Sequence, residues 1–230
     1  MLLPGLLYFI VFRYVPLMGI TIAFKDYRFV DGIWGSPWVG FKWFENMFVA
    51  GDFLNVLGNT IIISIYKLVF CFPAPLLLAL LFNEVRNQVF KRTVQTIVYL
   101  PHFISWVVIS GLMVTLLSPS SGLISIFGLE TSPMISPSSF RGLLVLSEIW
   151  KETGWETVIY LAAITSISAD MYEAAKIDGA GRLQQIIYIT LPTLKGTIAV
   201  LLILRTGKIL SAGFDQVYNL YSPIVYDVAD

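Results

Sequence analysis

Five long apolar stretches, separated by polar loops, constrain this chain more than any other feature. They run about Leu2–Phe24, Phe53–Phe82, Val94–Leu117, Leu143–Ile167 and Gly196–Ala212. A helix needs about 20 apolar residues to cross the hydrocarbon of a bilayer, and only the last stretch is marginal. The second is about 30 residues, or roughly 45 Å of helix, so it has to tilt, protrude or kink near Pro73 and Pro75. Hydrocarbon offers no water to backbone groups, so the spans are expected as helices. The short alternating segments of a β-barrel are absent. Composition agrees, with 57% hydrophobic and 13% charged residues; soluble domains carry roughly 25% charged. The expected fold is all-α, a polytopic membrane bundle that forms one transmembrane domain over residues 1–230.

Fifteen basic and fifteen acidic residues cancel, which gives nucleic acid nothing to bind. Cys71 stands alone in an apolar run and reads as a small buried hydrophobe. His102 is the single histidine, so no cluster suggests a metal site or nucleophile chemistry. The first apolar stretch has no basic flank and no small-residue cleavage site, so it is not read as a cleavable signal peptide. Orientation follows from the basic residues. The short loop Asn83–Thr93 holds Arg86, Lys91 and Arg92, and the region before the fifth span holds Lys176, Arg182 and Lys195. The longer loop Ser118–Gly142 has only Arg141. The positive-inside bias therefore puts the second and fourth loops in the cytoplasm, in a multi-pass protein of the cell (inner) membrane.

The fourth loop, residues 170–192, is "DMYEAAKIDGAGRLQQIIYITLP", the most evenly polar passage of the chain. Asp170 with Glu173 reads as a variant capping box opening a helix Met171–Asp178. Ala174 and Ala175 leave that helix open to close approach, and Gly179 and Gly181 permit a tight reversal. From Arg182 a second helix places Leu183, Ile186 and Ile187 on one side, and Pro192 is expected to end or kink it. Physics leaves two readings open: an amphipathic loop lying on the membrane surface, or a docking element for a cytoplasmic partner.

Glu173-Ala174-Ala175, Gly179, Ile189 and Leu191-Pro192, at these spacings, resemble the EAA signature of ABC importer permease subunits. The string "MYEAAKIDGA" is similar to the carbohydrate branch of that family, with Met171 departing from its usual leucine. "LLPGLLYFIVFRYVPLMGITIAFKDY", "GSPWVGFKWFENMF" and "GFDQVYNLYSPIVYDVAD" resemble its poly- and oligosaccharide permeases, so the likeness covers nearly the whole chain. The resemblance implies a coupling hairpin seated on a separate ATPase subunit, formed by Glu173, Ala174, Ala175, Asp178, Gly179, Ala180, Gly181, Ile189, Leu191 and Pro192. It also implies a second permease chain, an extracytoplasmic solute-binding lipoprotein, and ATP and magnesium held by the ATPase rather than here. No G-x-x-x-x-G-K-[ST] motif occurs in the sequence, so this chain is expected to be a transport subunit and not an enzyme. About five spans of an expected six are present, and both ends are expected to be trimmed. A permease for another solute class, an ATPase-independent secondary transporter and a membrane scaffold are the alternatives.

Charges inside spans are costly and mark functional candidates. In the fourth, Glu148, Lys151, Glu152, Trp155 and Glu156 fall on one helical stripe. With Trp150 they form a candidate solute path, the carboxylates meeting hydroxyls and the indoles stacking on sugar rings. A shallower helix, with the same residues at the outer interface, is the other reading. Arg205 and Lys208 in the fifth span either pair with that stripe or, for Lys208, snorkel outward.

Overall fold

The computed structural model describes residues 2–49, 51–118, 122 and 131–229; most of the Ser/Pro-rich third loop lies outside them. The described residues are helical, with no strand beyond one isolated bridge between Lys25 and Trp38. They cluster into two compact units, residues 1–55 and 56–230.

In the first unit, helix α1 (Leu3–Phe9) widens into a π turn at Ile10–Tyr14 and tightens into a 3-10 stretch at Val15–Phe24. Pro16 is the cause. It lacks an N–H and its ring clashes with the carbonyl four residues back, so the ladder shifts register around it. The whole run Leu3–Phe24 is long and apolar enough to cross a membrane, and none of it is buried within the chain. Beyond it, Asp26 N donates to Pro37 O and Val39 N to Phe24 O, both at 2.9 Å, closing a small aromatic loop. Phe24 stacks on Trp38 there, with ring centroids 5.7 Å apart. Helix α2 (Lys42–Val49) follows.

The second unit is built around one 29-residue helix. Helix α3 (Asp52–Cys71) continues into α4 (Pro73–Glu84), the break falling at Phe72 where Pro73 and Pro75 remove two backbone donors. After α5 (Gln88–Tyr99) the expected third span is not a single rod. Pro101 sits in a 3-10 turn, Leu100–Phe103, Ile104 is extended, and the chain restarts as α6 (Trp106–Leu116) at an angle of 101°. Ser105 caps the new helix by accepting from Val108 N.

The central helix is α7 (Pro137–Thr165). Against it pack α4, α5 and the bend, and α8 (Ala169–Ile177) follows it. The fifth span also differs from the sequence reading. A single rod runs Arg182–Thr206, comprising α9 (Arg182–Gln185), a π turn at Ile186–Thr190 and α10 (Leu191–Thr206). Pro192 does not stop it, because the π turn just before it absorbs the register change that its ring and missing N–H impose. The rod ends at Gly207, short of the expected Ala212, and α11 (Phe214–Leu220) begins after an irregular segment. Among the described residues three helices satisfy the length and hydropathy of a span, or four if the bent pair counts as one. The central α7 is long enough as well, and its charges are what distinguish it.

Two apolar clusters sit at opposite ends of α7: Phe140 and Leu144 with Ile63, Leu220 and Val225, and Tyr160 and Ile164 with Ala79 and Leu194. Between them, Gly154 lets α5 touch α7 backbone to backbone, since a Cβ there would land on the Val98 carbonyl. Gly154→Ala is expected to cost about 1–3 kcal/mol as an overpacking substitution. It should appear as a lowered apparent melting temperature of the detergent-solubilised protein. An unchanged melting temperature would mean that α5 does not seat on α7 at this point.

Candidate functional site

The charged stripe of α7 faces a cavity of about 470 Å³ bounded by α3, α7, the bend, the end of α10 and the irregular segment after it. A bare charge at such depth is expensive, so each must be accounted for. Glu148 is the node. One carboxylate oxygen lies 2.7 Å from Arg205 Nη2 on α10 and the other 2.6 Å from Lys67 Nζ on α3. Arg205 uses its other nitrogen on Glu156, at 2.9 and 3.0 Å. The Lys67 and Glu148 side chains are 6% and 15% exposed, so solvent screens the pair little.

Lys67 also donates to Ala212 O at 2.8 Å and to Gln216 Oε1. Gln216, itself buried, donates in turn to Leu144 O at 2.7 Å and Ser147 Oγ at 2.8 Å. Ser64 Oγ donates to Ile209 O. These bonds explain how the chain breaks its helix between Gly207 and Gly213. Non-helical backbone at membrane depth survives only where protein or a wet cavity satisfies it, and two side chains of α3 do so here. The turn uses left-handed backbone at Ala212 (φ 45°) and Gly213 (φ 75°), and a side chain on Gly213 would run into Lys67 Nζ.

A second constellation pins the bend in the α5–α6 region. Glu152 Oε2 lies 2.6 Å from His102 Nδ1, and Lys151 Nζ bridges Glu152 Oε1 at 2.7 Å and His102 O at 3.0 Å. His102 stacks on Trp155 with centroids 4.9 Å apart and planes 4° off parallel. Lys151 Nζ also sits 5.4 Å from the centre of the Trp106 ring. A smaller cavity of about 410 Å³ opens on the other side of this bend, beside Lys151, Asp215 and Asn219.

The expected path residues are therefore divided. Glu148, Glu152, Trp155, Glu156, Arg205 and Lys208 line the larger cavity. Lys151 is buried toward the bend and lines the smaller one. Trp150 is exposed and lines neither, being two positions from Glu148 and off the stripe's face. The pairing of Arg205 with the α7 carboxylates is present. Lys67, Gln216, His102 and Trp106 were not singled out from sequence. Lys67 had the one available signal, a lysine in the interior of an apolar span.

The loop 170–192 forms a hairpin. Helix α8 starts two residues earlier than expected, and its cap is Ser168, whose hydroxyl accepts from Asp170 N at 3.3 Å. Asp170 lies instead in the first turn, where its charge suits the helix dipole. Gly179 adopts φ 81°, and Ala180 N donates to Ala175 O at 2.8 Å to close the helix end. Gln184 then caps Gly181 N at 2.7 Å, and Gln185 Nε2 donates to Ala180 O at 2.9 Å. Tyr172 and the buried Thr190 join hydroxyls at 2.9 Å, tying α8 to the foot of the long rod. Arg182 reaches Glu84 at 3.4 Å. Glu173, Ala174, Asp178, Gly179, Gly181 and Pro192 are exposed, and Ala175, Ala180, Ile189 and Leu191 are half-buried. The apolar tip is bare, with Ile177 and Leu183 87% and 73% exposed.

Removing one partner of the buried node should be worse than removing two. Lys67→Met is expected to destabilise the detergent-solubilised protein by about 3–5 kcal/mol, by leaving Glu148 undercompensated. Lys67→Met with Glu148→Gln should recover most of that loss. A double-mutant cycle on thermal unfolding measures it, and strict additivity would rule out the coupling.

Comparison with known proteins then places the chain. Residues 71–218 match the family described as binding-protein-dependent transport system inner membrane component. Protein LplB of Bacillus subtilis (strain 168) is 46% identical over all of this chain and 74% of its own length. The polygalacturonan/rhamnogalacturonan transport system permease protein YteP of the same organism is 48% identical, over all of this chain and 73% of its own. The crystal structure of a bacterial ABC transporter involved in the import of the acidic polysaccharide alginate superposes with a TM-score of 0.91. It is 45% identical and covers 100% of this chain and 79% of that one. A crystal structure of a bacterial alginate ABC transporter in complex with alginate pentasaccharide-bound periplasmic protein gives 0.90. The chain belongs to the binding-protein-dependent transport system inner membrane components, and is a multi-pass permease subunit of that family.

Proposed function

We propose that this permease carries a saccharide, handed over by an extracytoplasmic binding protein, through the cavity beside α7. A separate ATPase drives it by seating on the hairpin 170–192. The observation that carries the reading is the hairpin itself. It is locked by its own caps, bare at its apolar tip and bonded through Tyr172–Thr190 to the rod that carries Arg205. An element so rigid and so little covered suits a partner surface, with Glu173 offering a polar contact, Ala174 and Ala175 close approach and Gly179 the turn. Similar proteins are named for polygalacturonan/rhamnogalacturonan and alginate transport, which supports a saccharide as the solute. In the cavity, Trp155 offers an indole face and the carboxylates of Glu152 and Glu156 offer hydroxyl acceptors. ATP and magnesium would be held by the partner ATPase, and a second permease chain would complete the path.

Mild-detergent purification of the full-length protein should bring down an ATPase, a second permease and a binding protein. In that assembly, Gly179→Pro or Glu173→Lys is expected to abolish solute-stimulated ATP hydrolysis; normal stimulation in both would sink the docking reading. Trp155→Ala should lower saccharide uptake about tenfold, as expected for the loss of roughly 1–1.5 kcal/mol of stacking, with the assembly intact. Wild-type uptake kinetics would take Trp155 off the path.

A further inference from the structure

Tyr160 on α7 carries a hydroxyl for which the fold supplies no partner. The residue is 2% exposed, set in the apolar cluster with Ala79, Ile164 and Leu194. Its oxygen is buried, and among the described residues nothing bonds to it. A buried phenol usually finds a bond, and a phenylalanine would fill the same cluster without desolvating an O–H. Polar company is close by, because Tyr160 and Glu156 both line the larger cavity. They stand four residues apart on α7. A long side chain on a helix leans toward the N-terminus over the preceding turn, which takes the Tyr160 ring toward Glu156.

Glu156 is the least secured carboxylate of that cavity. Among the described residues Arg205 is its ion-pair partner, and a single nitrogen, Nη1, serves both of its oxygens at 2.9 and 3.0 Å. Glu148 keeps Lys67 if Arg205 withdraws, and Glu152 is held by Lys151 and His102. Glu156 would be left with no cation among the described residues.

Resting on the reading above, in which an ATPase moves the hairpin and with it the rod that carries Arg205, we infer that Tyr160 is the second partner of Glu156. As Arg205 withdraws, the Tyr160 hydroxyl donates to the freed carboxylate. The proton stays on the phenol, and the bond is charge-assisted. With the rod where it stands, the donor is unpaired; with the rod tilted, donor and acceptor satisfy each other. The exchange of partners offsets part of the cost of parting the ion pair, and so favours the tilted state. Tyr160 is thus a positioning residue that acts through Glu156.

The test uses the complete transporter with its ATPase. ATP hydrolysis requires the tilted state on this reading, so Tyr160→Phe should slow it roughly 10- to 100-fold, the worth of one hydrogen bond to a charged group. The melting temperature should be unchanged or raised, because no bond is lost from the untilted state. In a Glu156→Gln background, Tyr160→Phe should cost less than about threefold. 3-Fluorotyrosine placed at position 160 should shift its fluorine resonance when AMP-PNP and magnesium are added, and Glu156→Gln should abolish the shift. A Tyr160→Phe variant that hydrolyses ATP at the wild-type rate would overturn the assignment. So would a lowered melting temperature, equal losses in both backgrounds, or a resonance that nucleotide does not move. Hydrolysis untouched by Gly179→Pro would be a different failure, that of the docking reading, and would take this assignment with it.

Discussion

The second unit depends on Glu148 being claimed from two sides. Its oxygens are divided between a lysine of α3 and an arginine at the far end of the long rod, so three separate helices meet on one carboxylate. In hydrocarbon, association of helices cannot rely on the hydrophobic effect, because lipid tails are as apolar as leucine. Polar contacts and close packing must choose which faces meet. The apolar clusters at the two ends of α7 fill space, while the charges between them set register and rotation. A helix slid by one residue would keep most of its grease in place but would strand an ion.

The same network is what permits irregular backbone inside the bundle. The turn after Gly207 is held by Lys67 and Ser64, and the bend at residues 103–106 by Lys151, Glu152 and Trp155. Neither break would survive against lipid, where unpaired carbonyls cost several kcal/mol each. Both therefore sit where side chains of a neighbouring helix reach them. Irregular main chain and buried charge are two halves of one arrangement, and both border the cavities.

Much of this was legible in the residues. Apolar runs gave an all-helical membrane bundle, and the spacing of charges in α7 gave a polar stripe of which Glu148, Glu152, Trp155 and Glu156 do line a cavity. Prolines were harder. Pro73 interrupts its helix at one residue only, Pro101 sits at a right-angled bend, and Pro192 leaves its rod unbroken where a π turn takes up the register change. Ser168 displaced Asp170 as a cap for a similar reason: either residue can accept the bond, and the helix start is decided by what precedes it. Lys67 and Gln216 lie 149 residues apart, and no local pattern could show that one breaks its helix for the other. The sequence offered no role for His102, whose ring is a stacking partner for Trp155, a relation that only the fold supplies.

The hydroxyl bond between Tyr172 and Thr190 gives the hairpin mechanical leverage over the cavity. Thr190 is buried at the foot of α10, and Arg205 sits near its tip, about 22 Å away along a helix that rises 1.5 Å per residue. A helix of that length is stiff, so it behaves as a beam pivoting at its base. A tilt of only about 5° imposed at the hairpin would carry the guanidinium roughly 2 Å, beyond hydrogen-bond range of Glu156. The ion pairs over the cavity are thus short bonds at the end of a long arm. A small tilt at the hairpin arrives there enlarged into the making or breaking of a contact.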